Sequence, residues 1–210
     1  MLALTPFRNL PRPVQVILLL NLAVFLPAAF FSMIRSPELS AWIDSLVLVP
    51  ELYSQVWRFV TYAFVHVSPL HFLFNMLMLW MFGEEVAQWI GGRAFWALYL
   101  VSAVFAGIFS VPFYASHVIG NSVHILGASG ALFGVMVAYG WLFPDRQMLL
   151  FLIFPVRART AVGLFILIDL FMSNSGDGVA HFTHLGGVLA GLAFMAVRQG
   201  GFGGQSAARL

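Results

Sequence analysis

A helical bundle that crosses a membrane six times is the fold this sequence predicts, and three observations carry that reading. Of 210 residues, 61% are hydrophobic and 9% are charged, where a soluble domain carries about 25% charged residues; the mean hydropathy is +0.93. The apolar residues gather into six stretches, each bounded by polar residues, Gly or Pro. Arginines are dense in alternate connections between those stretches and sparse in the others. The predicted class is all-α, a polytopic membrane bundle with the lipid bilayer as its surroundings.

The first stretch, 14–32, follows Arg8 and Arg12. That pattern mimics a secretory signal, but the apolar run exceeds the 7–15 residues usual in one. It is therefore read as a retained span, despite the Pro-Ala-Ala at 27–29. The second stretch covers 70–88, the third 94–113 and the fourth 127–143. The fifth, 160–173, is the shortest, and the sixth covers 179–197. This divides the chain into an N-terminal segment 1–13, a membrane domain 14–198 and a flexible tail 199–210.

Every basic residue is Arg, and their distribution sets the orientation. With the N-terminus in the cytoplasm, the inner segments hold Arg8, Arg12, Arg93, Arg146, Arg157, Arg159, Arg198 and Arg209, and the outer ones only Arg35 and Arg58. Both termini are then cytoplasmic, and even-numbered spans begin at the outer face. The long connection 33–69 lies outside and carries Trp42, Tyr53, Trp57 and Tyr62, aromatic types favoured at the bilayer interface. The run 148–156 is apolar, too short to span and flanked by Arg, which suits the inner interface. No cysteine is present, so disulfide and thiol chemistry are excluded. The thin net charge of +2 forms no basic run, so nucleic acid is not an expected partner.

Polar groups inside a bilayer are costly and need a reason. His71 and Asn75 lie at the outer start of the second stretch, Ser129 at that of the fourth, and His181 and His184 in the first turns of the sixth. At 1.5 Å per residue, Asn75 and His184 sit roughly 7–9 Å below their span starts. Three spans thus present polar chemistry at one shallow depth. Gly130 and Gly134 form a G-x-x-x-G, as do Gly187 and Gly191. Such small residues let helices approach closely in lipid, which would bring Ser129 within reach of His184. A serine becomes a nucleophile beside a base, usually His. His71 and Asn75, four apart on one face, can donate to a developing oxyanion, and unpaired N–H groups at the helix start by Ser129 add to them. No carboxylate lies at this depth in those three spans, so the expected arrangement is a Ser–His dyad without an acid. Asp169, the one acid of the fifth stretch, pairs with another helix or caps locally and receives no catalytic role here. Each residue taken singly also has a plain reading: a helix cap for Ser129, interhelical hydrogen bonding for the histidines, packing for the glycines.

At these residues the sequence resembles the rhomboid family of intramembrane serine proteases. The likeness covers about 57–197: Trp57-Arg58, His71-Phe72-Leu73-Phe74-Asn75, Gly127-Ala128-Ser129-Gly130 with Gly134, and Ala180-His181-Phe182-Thr183-His184-Leu185-Gly186-Gly187. The resemblance implies Ser129 as nucleophile, His184 as base, and an oxyanion site of His71, Asn75 and the turn from Gly127 to Ser129. It implies cleavage of transmembrane substrates near their outer ends, no cofactor and no metal, and a compact member of the prokaryotic inner-membrane type. His184 is preferred to His181 because the family histidine precedes a glycine by three residues, as His184 precedes Gly187. The sequence departs at Phe133, where many relatives carry Tyr; Phe can stack on an imidazole but cannot hydrogen-bond. Glu84 and Glu85 lie near a family glutamate position. Two rivals stand beside the protease reading. One is an inactive relative that binds transmembrane helices. The other is a metal-binding membrane protein using His66, His71, His117, His124, His181 and His184. The fifth span and the polar segment 173–178 after it are expected to form a movable gate for lateral access of a substrate helix.

Overall fold

The computed structural model describes residues 5–34, 37–115, 123–150, 154–174 and 179–200. Each of the six apolar stretches forms a helix. The first is α1, Arg12–Ile34. The long connection after it holds α2, Pro37–Leu46, and α3, Arg58–Thr61. The second stretch is α4, Pro69–Met78, continued through a π-helical turn, Leu79–Gly83, into α5, Glu84–Ile90. The third is α6, Gly92–Tyr114, the fourth α7, Ser129–Leu142, the fifth α8, Ala158–Phe171, and the sixth α9, His181–Arg198.

By length and composition, Arg12–Phe30 and α6 can each cross a membrane, and the bent pair 58–64 and 69–90 adds a third candidate. At 14 residues each, α7 and α8 are about 21 Å long, short of a hydrocarbon core of about 30 Å. Six apolar helices, rather than six full-length crossings, are therefore what the fold displays.

Between these helices lie a strand pair and a short turn. The run 148–156 contributes to an antiparallel hairpin of β1, Gln147–Leu150, and β2, Phe154–Arg157, with Gln147 opposite Arg157 and Leu150 opposite Phe154. A run too short for a membrane helix satisfies its backbone by pairing with itself, and among the described residues this hairpin is the one sheet in a helical bundle. Of the expected gate segment 173–178, a 3₁₀ turn at Met172–Asn174 is described, while 175–178 lie outside the described residues, as do 201–210 of the tail.

The packing suits lipid. Large apolar side chains point outward, among them Leu26, Leu73, Ile108, Leu167 and Phe171. Small and polar ones turn inward, among them Asn21, Asn75, Ser102, Ser110, Thr183 and His184. Apolar burial drives no helix association in a bilayer, so close backbone contact and interhelical hydrogen bonds must. The helices α6, α7 and α9 pack most intimately. A Cβ placed on Gly187 would lie 1.9 Å from the Gly130 carbonyl oxygen, and one on Gly191 2.7 Å from that of Gly134. The α7 glycines serve a second contact as well. A Cβ on Gly134 would meet Ser102 Oγ at 2.1 Å and one on Gly130 would meet the Ala106 Cβ at 3.0 Å. Gly187 and Gly191 thus lie against the α7 backbone at Gly130 and Gly134, and the α7 glycines admit α6 as well.

The described part of the long connection, 37–68, braces the segment that leads into α7. Leu48 and Ile125 exchange backbone hydrogen bonds of 2.9 and 2.8 Å, and the Tyr62 hydroxyl donates to the Ala103 carbonyl at 2.7 Å. Within the connection the buried Arg58 guanidinium donates to the carbonyls of Asp44 and Val47 and to Gln55 Oε1. Its charge is thus dispersed over backbone dipoles, and the loop is fastened where it meets the helices. Far from this end, Glu85 on α5 pairs with Arg146 before the hairpin.

Candidate active site

Ser129 is the first residue of α7, and the backbone before it explains its placement. Gly127 has φ +107°, a left-handed conformation that favours glycine, and it turns the chain from the Leu48–Ile125 bridge into the helix. Its N–H donates to the Tyr62 carbonyl at 2.9 Å, and the next N–H, of Ala128, donates to His66 Nε2 at 3.3 Å. Both amides are therefore committed to holding the turn. Gly127 shapes the site rather than offering its own N–H: a Cβ there would lie 2.5 Å from His71 Cε1. Ser129, as the first helical residue, has an N–H with no intrahelical acceptor.

His184 reaches this serine from α9, with Nε2 2.7 Å from Ser129 Oγ. The contact follows from the glycine seam, since Ser129 precedes Gly130 and His184 lies one turn before Gly187. Phe133 lies flat on the imidazole, with centroids 4.5 Å apart and planes 13° apart. The Phe at this position therefore supplies a stacking platform and no hydroxyl. His181, the other candidate base, lies a turn away with its Nδ1 2.8 Å from Asp169 Oδ1.

A cavity of about 570 Å³ opens beside the pair, and His71, Asn75, Gly127, Ser129, Phe133 and His184 all line it. The predicted polar residues of three separate helices, His181 excepted, thus meet at one void. His71 packs edge-on against His66, with centroids 5.0 Å apart. Asn75 donates one amide hydrogen to the His71 carbonyl at 2.9 Å; an amide carries two, so a second donor is left for the cavity. A reacting carbonyl above Ser129 Oγ would find His71, Asn75 and the Ser129 N–H as candidate donors around the same cavity, with His184 at hydrogen-bond distance from the nucleophile. This arrangement can perform acyl transfer: a hydroxyl, a base within hydrogen-bond reach, and donors near the place where negative charge would develop.

Asp169 is where the structure departs from the sequence expectation of an acid-free pair. Its Oδ1 lies 2.7 Å from His184 Nδ1 as well as 2.8 Å from His181 Nδ1. Among the described residues, Asp169, His181 and His184 form the one cluster whose ligating atoms could surround a metal ion. The acid comes from the fifth stretch, which a search by depth in the second, fourth and sixth could not include. A signal did exist. Ala158, Val162, Phe165, Ile166 and Asp169 share one stripe of α8, the inward one, while Leu164, Leu167, Ile168 and Phe171 are exposed. Of the rival metal-binding set, His66 is engaged by Ala128, His124 lines the cavity, and His117 lies outside the described residues.

Comparison with known proteins meets this geometry from another direction. The family model described as the Rhomboid domain matches residues 53–199. The chain is 32% identical over 200 residues to "Rhomboid protein 1, mitochondrial" of Saccharomyces cerevisiae, covering 90% of this chain and 54% of that protein. It is 30% identical over 176 residues to "Rhomboid protease GlpG" of Photorhabdus laumondii, covering 84% and 57% respectively. It is 31% identical over 140 residues to the protein of the same name from Yersinia pestis, covering 67% and 47%. The chain spans about half the length of these curated relatives.

Proposed function

Because this chain belongs to the rhomboid family, we propose that it is an intramembrane serine endopeptidase that cleaves transmembrane helices with Ser129 as nucleophile and His184 as general base. The observation that carries the reading is the 2.7 Å approach of His184 Nε2 to Ser129 Oγ at the wall of the cavity. Ser129 Oγ attacks the scissile carbonyl carbon as its proton passes to Nε2. The oxyanion is held by donors from His71, Asn75 and the Ser129 N–H. Collapse breaks the C–N bond, and Nε2 returns the proton to the leaving amine. Water, deprotonated by the same nitrogen, then releases the acyl group and restores the serine.

The protein works as an integral membrane protein with both termini cytoplasmic, in a plasma or inner membrane; the Arg count of eight inner against two outer supports that orientation. The substrate is cut near its outer end. A helix offers no free carbonyl for attack, so the scissile segment must unwind, and small or helix-weakening residues favour this.

The direct test uses purified protein in liposomes with a reporter transmembrane substrate. The wild type is expected to release a fragment cut near the end away from the cytoplasm, and a fluorophosphonate probe to label Ser129. Undiminished cleavage by Ser129→Ala, or a cut at the cytoplasmic end, would overturn the reading.

The oxyanion assignment has a test of its own. Removing one donor from such a site costs about 10²–10³ in rate. His71→Ala and Asn75→Ala are each expected to lower kcat, by less than this range where the remaining donors compensate, with thermal unfolding little changed. Wild-type turnover in the folded double variant would remove both residues from the mechanism.

A further inference from the structure

The carboxylate that joins α8 to the site has a position that packing alone does not explain. Asp169 is the one acidic residue of α8, its side chain is 15% exposed, and the neighbouring positions Ile168 and Leu170 face outward. An unpaired carboxylate at such a place would be costly. Here one oxygen, Oδ1, receives both imidazoles of α9 through their Nδ1 atoms.

We propose that Asp169 is a positioning residue for the reaction, extending Ser129 and His184 into a Ser–His–Asp chain that runs from α7 through α9 to α8. This rests on the protease reading above. A carboxylate accepts and cannot donate, so the proton of neutral His184 resides on Nδ1. The lone pair of Nε2 then faces the Ser129 hydroxyl, the tautomer a general base requires. When Nε2 takes the serine proton, the ring becomes a cation and the bond to Asp169 becomes charge-assisted at both ends, hence stronger. Phe133 fixes the plane of the ring and Asp169 its rotation within that plane. His181 gives the same oxygen a second donor, which holds the carboxylate in place without touching the serine.

The distances favour hydrogen bonds over a shared cation. Two ligand atoms bound to one zinc at about 2.0–2.1 Å would stand roughly 3.3 Å apart in a tetrahedral site. The observed N to O separations are 2.7 and 2.8 Å, the ordinary length of a charge-assisted N–H···O bond.

The experiment compares wild type, Asp169→Asn, Asp169→Glu, Ser129→Ala and His184→Ala in one liposome cleavage assay. Asp169→Asn keeps the shape and removes the charge; loss of the corresponding carboxylate in a soluble triad lowers kcat about 10⁴-fold. A fall of at least about 10² in kcat with KM little changed is expected, with partial recovery in Asp169→Glu. A second measurement needs no acidic variant to fold. In ¹⁵N-histidine-labelled wild type, a strongly downfield Nδ1 proton should appear and be lost in His184→Ala. Asp169→Asn turnover within about twofold of wild type, an effect confined to KM, or no such proton would overturn the proposal. If Ser129→Ala or His184→Ala still cleaves, the protease reading itself fails, a result distinct from a failure of Asp169 alone.

Discussion

His184→Ala should silence cleavage as fully as Ser129→Ala, while His181→Ala keeps a substantial part of it. In a soluble serine protease, removing the nucleophile or its base costs about 10⁶ in kcat, and His184 alone stands in the base position, 2.7 Å from Ser129 Oγ. The His181 ring centroid lies 6.1 Å from that of His184, and its Nδ1 meets Asp169. Losing it removes one hydrogen bond from the carboxylate, a net loss of about 1.5–3 kcal/mol for a charged acceptor; this falls on stability and reaches the serine only through Asp169, so turnover should fall far less than on losing the base. Thermal unfolding of each variant separates chemistry from folding. A dead His181→Ala beside an active His184→Ala would show that the base is the histidine one turn nearer the start of α9.

The helices were legible because a membrane writes them in plain composition. Six apolar stretches became six helices, and the residues chosen for shared depth, His71, Asn75, Ser129 and His184, line one cavity. Depth can be counted along a chain; azimuth cannot be read as well. Gly134 meets Gly191 of α9, as the paired glycine motifs suggest, but its equally close approach to Ser102 of α6 is marked by no pattern. Asp169 lies on a helix counted from the opposite face, and only its azimuth brings Oδ1 beside both imidazoles. The hairpin at 147–157 escaped for a different reason: an apolar run of nine or ten residues carries no period long enough to separate strand from interfacial helix. The commitment of the Gly127 and Ala128 amides to Tyr62 and His66 depends on contacts across more than 60 residues of chain, which no local pattern encodes.

Gly187→Val should damage stability and catalysis together, and more severely than a valine at any exposed glycine. Even a single methyl at Gly187 would stand 1.9 Å from the Gly130 carbonyl oxygen, and its neighbour is backbone that cannot rotate away. To reach a separation of 3.0 Å, α7 and α9 must part there by roughly 1.1 Å (3.0 − 1.9). Overpacking of a close core costs about 1–3 kcal/mol, occasionally more. In lipid the lost contact is itself the main attraction between the helices, so the upper part of that range is expected. The same displacement acts on the site, since Ser129 adjoins Gly130 and His184 lies one turn from Gly187. A shift of about 1 Å in the reacting groups can cost on the order of 10² in rate. Gly187→Ala should therefore lose about 10²-fold in kcat/KM with a lowered Tm, and Gly187→Val should lose more of both. Gly163→Ala on α8 is the control, because its added methyl meets nothing within 4 Å; it should match wild type in activity and be no less stable, alanine being the better helix former. Normal turnover in a folded Gly187→Val protein would mean that α7 and α9 do not touch at this glycine, and the Ser129–His184 contact would lose its structural basis.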